Sequence, residues 1–193
     1  MTFVTDKYYV ATNITIAANQ GFKILTTDKW LSVKSVTAGK WYPFATEQDD
    51  MKLSAGTYDL YCDLKNEMLC AVKAGAAVPD FILFKPSTKT WAASSENNYR
   101  FAIYFFNDST GKNSWYSLNE TTSDGYYYAS VEANKWPNLI ICRMYGDNTT
   151  NDWNTKREQT ANLTMPTTNK RCFDDTSDWW SNQNDGWWST KVK

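Results

Sequence analysis

The sequence predicts an all-β protein built as two small antiparallel β-sandwich domains in tandem. Three observations carry this. Short segments with strand-like alternation recur along the 193 residues, with Gly, Asn, Asp and Pro between them. No segment sustains a helical apolar period. The stretch Lys73-Ala74-Gly75-Ala76-Ala77-Val78-Pro79 is small-residue and closed by proline, so it divides the chain into domains at 1–75 and 80–193.

In chain order the expected strands cover residues 7–12, 21–26, 57–63, 67–72, 81–85, 100–106, 125–131, 138–144 and 162–165. One short helix would fit at 46–53. In the hairpin of the first half, Tyr58, Leu60, Cys62 and Leu64 alternate with Asp59, Tyr61 and Asp63, which gives one inward face. A loop of Lys65-Asn66-Glu67 pairs Leu64 with Met68, Cys62 with Cys70 and Leu60 with Val72, and this apolar match selects its register over that of a two-residue turn. Gly56, after Ala55, suits a turn into the strand. In the second half, Phe101, Ile103 and Phe105 point one way and Ala102, Tyr104 and Phe106 the other. Both faces are apolar, which predicts a central strand. Residues 138–144 have the same character, and Arg143 among them reads as a structural ion-pair partner.

Composition excludes several kinds of function. A formal charge of −1 offers no footprint for a phosphate backbone, so nucleic acid is not an expected partner. There is no histidine, which removes the commonest general base, the commonest zinc ligand and every Ser-His or Cys-His nucleophile. The carboxylate pairs Asp49/Asp50 and Asp174/Asp175 lie in polar runs that read as solvated turns, not as a glycosidase pair. The expectation is therefore a protein that is not an enzyme, with no cofactor and no metal. No run of about 18 apolar residues exists, so direct membrane insertion is not expected. Met1 leads straight into Thr2-Phe3-Val4-Thr5-Asp6 without an apolar signal core, and an export signal or lipid anchor would lie upstream.

The four cysteines, Cys62, Cys70, Cys142 and Cys172, lack zinc-type spacing. In the hairpin register above, Cys62 and Cys70 face each other, and both a bridge and a pair of reduced core residues remain open. Five N-x-[ST] triplets, at Asn13, Asn107, Asn119, Asn148 and Asn162, occur in a chain so rich in Asn, Ser and Thr that chance accounts for them as well as glycosylation does. The Asn/Asp-rich loop 147–152 lacks the regular carboxylate spacing of a calcium site.

Aromatic content is the strongest functional signal. The chain holds 10 Trp, 12 Tyr and 9 Phe while its mean hydropathy is −0.59, so some rings must remain outside the core, where they serve binding. Sugar rings stack their C–H faces on Trp and Tyr and bond their hydroxyls to planar polar side chains. Three constellations offer both: Trp30 with Trp41 and Tyr42; Trp115 and Tyr116 with Trp153, Asn154, Lys156 and Gln159; and the tandem tryptophans that contain Trp180 and Trp187. Trp91 and Trp136 read as structural. For Trp30, Trp115 and Trp153 the local sequence leaves binding and packing open, and each tandem pair sends one ring to either face if extended.

From Phe81 onward the order of motifs is familiar. It runs Phe81-Ile82-Leu83-Phe84-Lys85-Pro86, Arg100-Phe101-Ala102-Ile103-Tyr104-Phe105-Phe106, Trp115, Ile141-Cys142-Arg143-Met144, Trp153-Asn154-Thr155-Lys156, Gln159-Thr160 and Trp188-Ser189. This resembles the β-sandwich carbohydrate-binding modules appended to amylases and starch-adherence proteins of gut bacteria, with Arg157, Glu158 and Asn162 departing from the pattern. The first half, with Gly21-Phe22-Lys23-Ile24-Leu25, Asp28-Lys29-Trp30 and Gly56-Thr57-Tyr58-Asp59-Leu60, is similar to domains of starch-utilisation outer-membrane lipoproteins. The resemblance implies non-catalytic binding of starch-type α-glucan or maltooligosaccharide, with the ring of Trp30 and nearby aromatics stacked on it, in a larger secreted or cell-surface protein. A protein-interaction or adhesion module using the same aromatic surface is the alternative.

Overall fold

The computed structural model describes residues 2–4, 8–33, 35–45, 49–86, 98–175 and 186–191. Among them there are strands and turns and no helix, so the all-β class is as the sequence predicts. The chain forms two compact units, one containing Met1–Phe81 and Ser130–Ala133, the other Ile82–Ala129 and Asn134–Val192.

The first unit contains β1 (Thr2–Val4), β2 (Tyr8–Ile16), β3 (Gly21–Phe22), β4 (Ile24–Leu25), β5 (Trp30–Leu31), β6 (Lys40–Pro43), β7 (Met51–Lys52), β8 (Gly56–Asp63) and β9 (Met68–Lys73). Five of these make an antiparallel sheet in the order β1-β2-β8-β9-β6. The ribbons β3–β7 and β4–β5 supply a second layer: Ile24, Leu31 and Met51 pack with Tyr58, Leu60, Cys62, Leu69 and Ala71 in one core. The short helix that would fit at 46–53 is not formed at its end, because Met51 and Lys52 pair as a strand with Phe22 and Gly21. Residues 46–48 lie outside the described residues.

The β8–β9 hairpin corrects the expected register by one residue. Asp63 pairs with Met68, Cys62 with Leu69, and Leu60 with Ala71. The apolar match could not discriminate, because buried residues occur on both faces of both strands. Turn chemistry decides instead. The Asp63 carboxylate accepts from the backbone N–H groups of Lys65 and Asn66 and from the Asn66 side-chain amide, at 3.1, 3.0 and 2.7 Å. Glu67 closes the turn at φ 58°. The buried aspartate and asparagine thus satisfy each other in a longer loop than the sequence predicts.

The one-residue shift sends Cys62 and Cys70 to opposite faces, so they do not bridge; all four cysteines are free and buried. Burial pushes the thiols of Cys62, Cys70 and Cys142 up to about 12, and that of Cys172 also upward. The native protein at pH 8 is therefore expected to leave a thiol reagent such as DTNB unconsumed, and to react at all four positions once unfolded in guanidinium. Rapid reaction of the folded chain would contradict this burial.

The second unit contains most of β10 (Asp80–Lys85), then β11 (Tyr99–Asn107), β12 (Lys112–Leu118), most of β13 (Tyr127–Val131), β14 (Asn138–Tyr145), β15 (Lys156–Gln159), β16 (Leu163–Thr164), β17 (Cys172–Asp175) and β18 (Gly186–Ser189). One sheet runs β13-β10-β17-β18 and the other β12-β11-β14-β15, with β16 also on β14. The pairs β11–β12, β11–β14, β14–β15, β14–β16 and β17–β18 are antiparallel, whereas in β10–β17 Leu83 to Lys85 run parallel to Cys172 to Asp174. Asp174 and Asp175 thus belong to a strand and not to the expected solvated turn, and Asp174 accepts a hydrogen bond from Ser189 at 2.9 Å.

The two sheets meet face to face. Phe84 of β10 and Tyr127 of β13 pack their rings on Phe101 of β11 at 5.2 and 5.0 Å. Phe101, Ile103 and Phe105, with Leu139 and Ile141 from β14, form the sealed interior, and Trp136 lies buried beside Phe105. Arg143 shares this interior face. Its guanidinium is fully buried 3.2 Å from the Glu158 carboxylate and over the Tyr99 ring at 4.8 Å, which is the structural ion pair expected of it. The two-faced character of β11 leaves a second apolar surface on the other side of the sheet.

Candidate functional site

Among the described residues, that second surface gathers four rings in mutual contact. Side chains alternate along a strand, so Ala102, Tyr104 and Phe106 stand opposite the interior face, and the antiparallel register sets Tyr104 beside Trp115 of β12 and Ile140 of β14. Ala102, Ile140, Cys142 and Met144 form a buried floor, with Tyr104, Phe106 and Trp115 half-buried on top of it. Tyr104 and Trp115 lie 5.0 Å apart at 54°, and Phe106 continues the row at 5.8 Å and 23°.

The loop between β14 and β15 adds a fourth ring. Trp153 is 44% exposed and meets Tyr104 at 4.7 Å and 63°, and Trp115 at 4.9 Å and 65°. These near-perpendicular contacts hold the ring while much of its surface stays toward solvent. The loop shapes itself: the Asp152 carboxylate accepts from the N–H groups of Asn154 and Thr155 at 2.7 and 2.9 Å, and the Thr155 hydroxyl donates to the Thr150 carbonyl at 2.8 Å.

A bulge then brings two polar side chains to the same surface. Residues three apart on a regular strand face opposite sides, yet Lys156 pairs with Met144 and Gln159 with Cys142, because the register shifts between Arg143 and Met144. Lys156 therefore donates to the Gln159 side-chain carbonyl, with its ammonium 5.6 Å from the centre of the Trp153 ring. Arg157 takes the extra place and reaches the ring of Tyr145 at 5.8 Å. The result is a row of rings inclined to one another, bordered by an ammonium and an amide: a surface able to stack on flat C–H faces and bond hydroxyls.

The structure sorts the residues singled out from sequence. Trp115, Trp153, Lys156 and Gln159 come together on this face, and Asn154 lies exposed next to Trp153. Tyr116, half-buried, turns to the interior side, where it meets Phe105 edge-on at 5.2 Å. Trp41 is 1% exposed; its indole N–H donates to the Pro79 carbonyl at 2.7 Å and its ring packs on Phe81, so it presents no face to a ligand. Tyr42 is half-buried against the first core. Trp30 stands 64% exposed in the first unit with Leu25 directly across the hairpin, 61% exposed. Trp180, and Trp91 among the rings read as structural, lie outside the described residues. So does the side chain of Trp187, whose backbone pairs with Asp174 in β18.

Three participants were not singled out. Tyr104 and Phe106 were visible only as the second apolar side of a central strand. Arg100 gave no signal of its role. It sits on the same surface and donates to the carbonyls of Asn148 and Thr150 and to the side-chain oxygen of Asn151. No protein-family model, curated protein or solved structure matches the chain.

Proposed function

We propose that this chain is a non-catalytic glycan-binding protein that holds a starch-type α-glucan or maltooligosaccharide on the Trp153 face, acting in the extracellular space or at a cell surface as part of a larger protein. The observation that carries the reading is Trp153, which keeps 44% of its surface in water while its edge rests on Trp115 and Tyr104. Rings inclined by 65° offer successive pyranoses differently oriented platforms, which suits a curved α-linked chain better than a flat β-linked one. Lys156, Gln159 and Asn154 supply hydroxyl partners at the border. Stacking on one or two rings, offset by lost hydroxyl–water bonds, gives affinities on the order of micromolar to millimolar.

Affinity electrophoresis through amylopectin gels tests this. The wild type is expected to be retarded, and Trp153→Ala to lose about tenfold in affinity, the equivalent of one stacked ring, with unchanged migration in gels without polysaccharide. Unretarded wild-type protein would remove the glycan from consideration. Binding without chemistry also implies that soluble glucans incubated with the protein yield no new reducing ends.

One observation favours a second reading for the first unit. Trp30 faces Leu25 across its hairpin, not an amide or a charge. An exposed apolar pair of that kind suits a protein contact, the interaction or adhesion module weighed above. If Trp30→Ala migrates through amylopectin like wild type while Trp153→Ala does not, the Trp30 hairpin belongs to that second class.

A further inference from the structure

Trp153 sits on a loop that its own hydrogen bonds shape but do not attach to the sheet. The base is closed by Tyr145 N–H donating to the Thr155 carbonyl at 3.0 Å, and the interior by the Asp152 and Thr155 bonds described above. A loop held only in this way is free to swing about its base and lift the ring off Tyr104 and Trp115.

What fastens it is a planar guanidinium. Arg100 stands on β11, two residues before Ala102 on the same face, and spreads its fork to three acceptors on the loop: the carbonyls of Asn148 and Thr150 and the side-chain oxygen of Asn151. Asn151 passes the connection on, its amide donating to the hydroxyl of Ser117 on β12 at 2.9 Å. The start of the loop is tied as well, by Gly146 N–H to the Asn98 carbonyl at 3.2 Å, and the approach there is so close that a Cβ on Gly146 would fall 2.8 Å from the Asn98 carbonyl carbon. The loop is thus held at its start by Asn98, which accepts from Gly146 N–H and donates its amide to Asp147, and across its middle by the Arg100 guanidinium of β11 and by the bond of Asn151 to β12.

We propose that Arg100 is a positioning residue of the binding face, which touches no ligand and sets affinity by keeping Trp153 edge-on to Tyr104 and Trp115 before any ligand arrives. The inference rests on the glycan reading for its ligand but not for its geometry. A ring that spends only a fraction of its time in place weakens apparent binding by that same fraction, and an already ordered ring avoids the cost of ordering on binding. Lysine is a poor replacement, because one ammonium on a flexible stem cannot reach three acceptors in a plane.

The test uses the full chain labelled with 5-fluorotryptophan, the Trp153 resonance being identified by its loss in Trp153→Phe. In Arg100→Met and Arg100→Lys the Trp153 resonance is expected to move toward the position of free fluorotryptophan. Trp115 is expected to follow in part and the Trp41 and Trp136 resonances to stay in place, with affinity for maltoheptaose falling about tenfold. Asn151→Ala cuts the same link from the loop side and is expected to reproduce the shift, which keeps the test open if an Arg100 variant folds poorly. An unmoved Trp153 resonance in the folded variants would overturn the proposal, with or without a loss of affinity. Should the wild type fail to bind maltoheptaose, the glycan reading falls while the resonance still decides the role of Arg100.

Discussion

Trp41→Ala is expected to destabilise the first unit by about 3–5 kcal/mol, the usual cost of emptying a buried indole site, while Trp30→Ala changes stability by roughly 0.5 kcal/mol or less. Local sequence gives no reason for the difference, since both tryptophans stand beside lysine. The strand pleat supplies it: in β6, Lys40 and Tyr42 share the face of the first core, and Trp41 stands on the opposite face of the sheet, where it is sealed by Phe81 at 4.7 Å and Tyr8 at 6.0 Å and its N–H is satisfied by the Pro79 carbonyl. Removing the ring leaves a cavity and a carbonyl without its donor. Thermal unfolding followed by circular dichroism is expected to show a midpoint lowered by on the order of 10 °C for Trp41→Ala. A midpoint within about 2 °C of wild type would mean that the buried indole carries no weight in the fold.

Glu158→Ala is expected to cost about 3 kcal/mol, because it takes the carboxylate away from a guanidinium that has no contact with water. Arg143 is 0% exposed and Glu158 largely covered, so screening by solvent is weak at this pair. The second ion pair of Glu158, with Arg157 at 4.0 Å near the surface, adds little. Urea titrations would read the loss as a lowered midpoint with an unchanged slope. The double variant Arg143→Met/Glu158→Leu is expected to regain most of the stability, since a well-packed apolar pair commonly equals a buried ionic one. If Glu158→Ala unfolds at the wild-type urea concentration, the pair is not what holds Arg143 in the interior.

Some of this fold was legible because alternation reports burial directly. In β11 and β14 both sides of the strand are apolar, and both strands lie in the middle of their sheet. Where both faces are buried, the same signal is silent: it could not place β8 against β9, and the register was set by the polar side chains of Asp63 and Asn66, which an apolar match ignores. β6, β12 and β15 were missed because lysine, arginine, serine and asparagine at their exposed positions read as loop, although such residues are at home on the solvent side of a strand. The Trp153 face was partly legible. Trp115, Trp153, Lys156 and Gln159 were grouped by their residue types. Their meeting on one surface depends on a bulge after Arg143 and on Arg100, features that arise from pairing between distant segments and leave no mark in local composition.

The parallel ladder between β10 and β17 has a consequence for how the chain comes into being. On a ribosome, residues 80–85 emerge long before residues 172–175, and until the later segment arrives the side of β10 that it will occupy has bare amide and carbonyl groups. Nascent chains are therefore expected to carry an adhesive strand margin through much of their synthesis, and the late insertion of β17 beside it is a long-range closure of the kind expected to slow the folding of β-proteins.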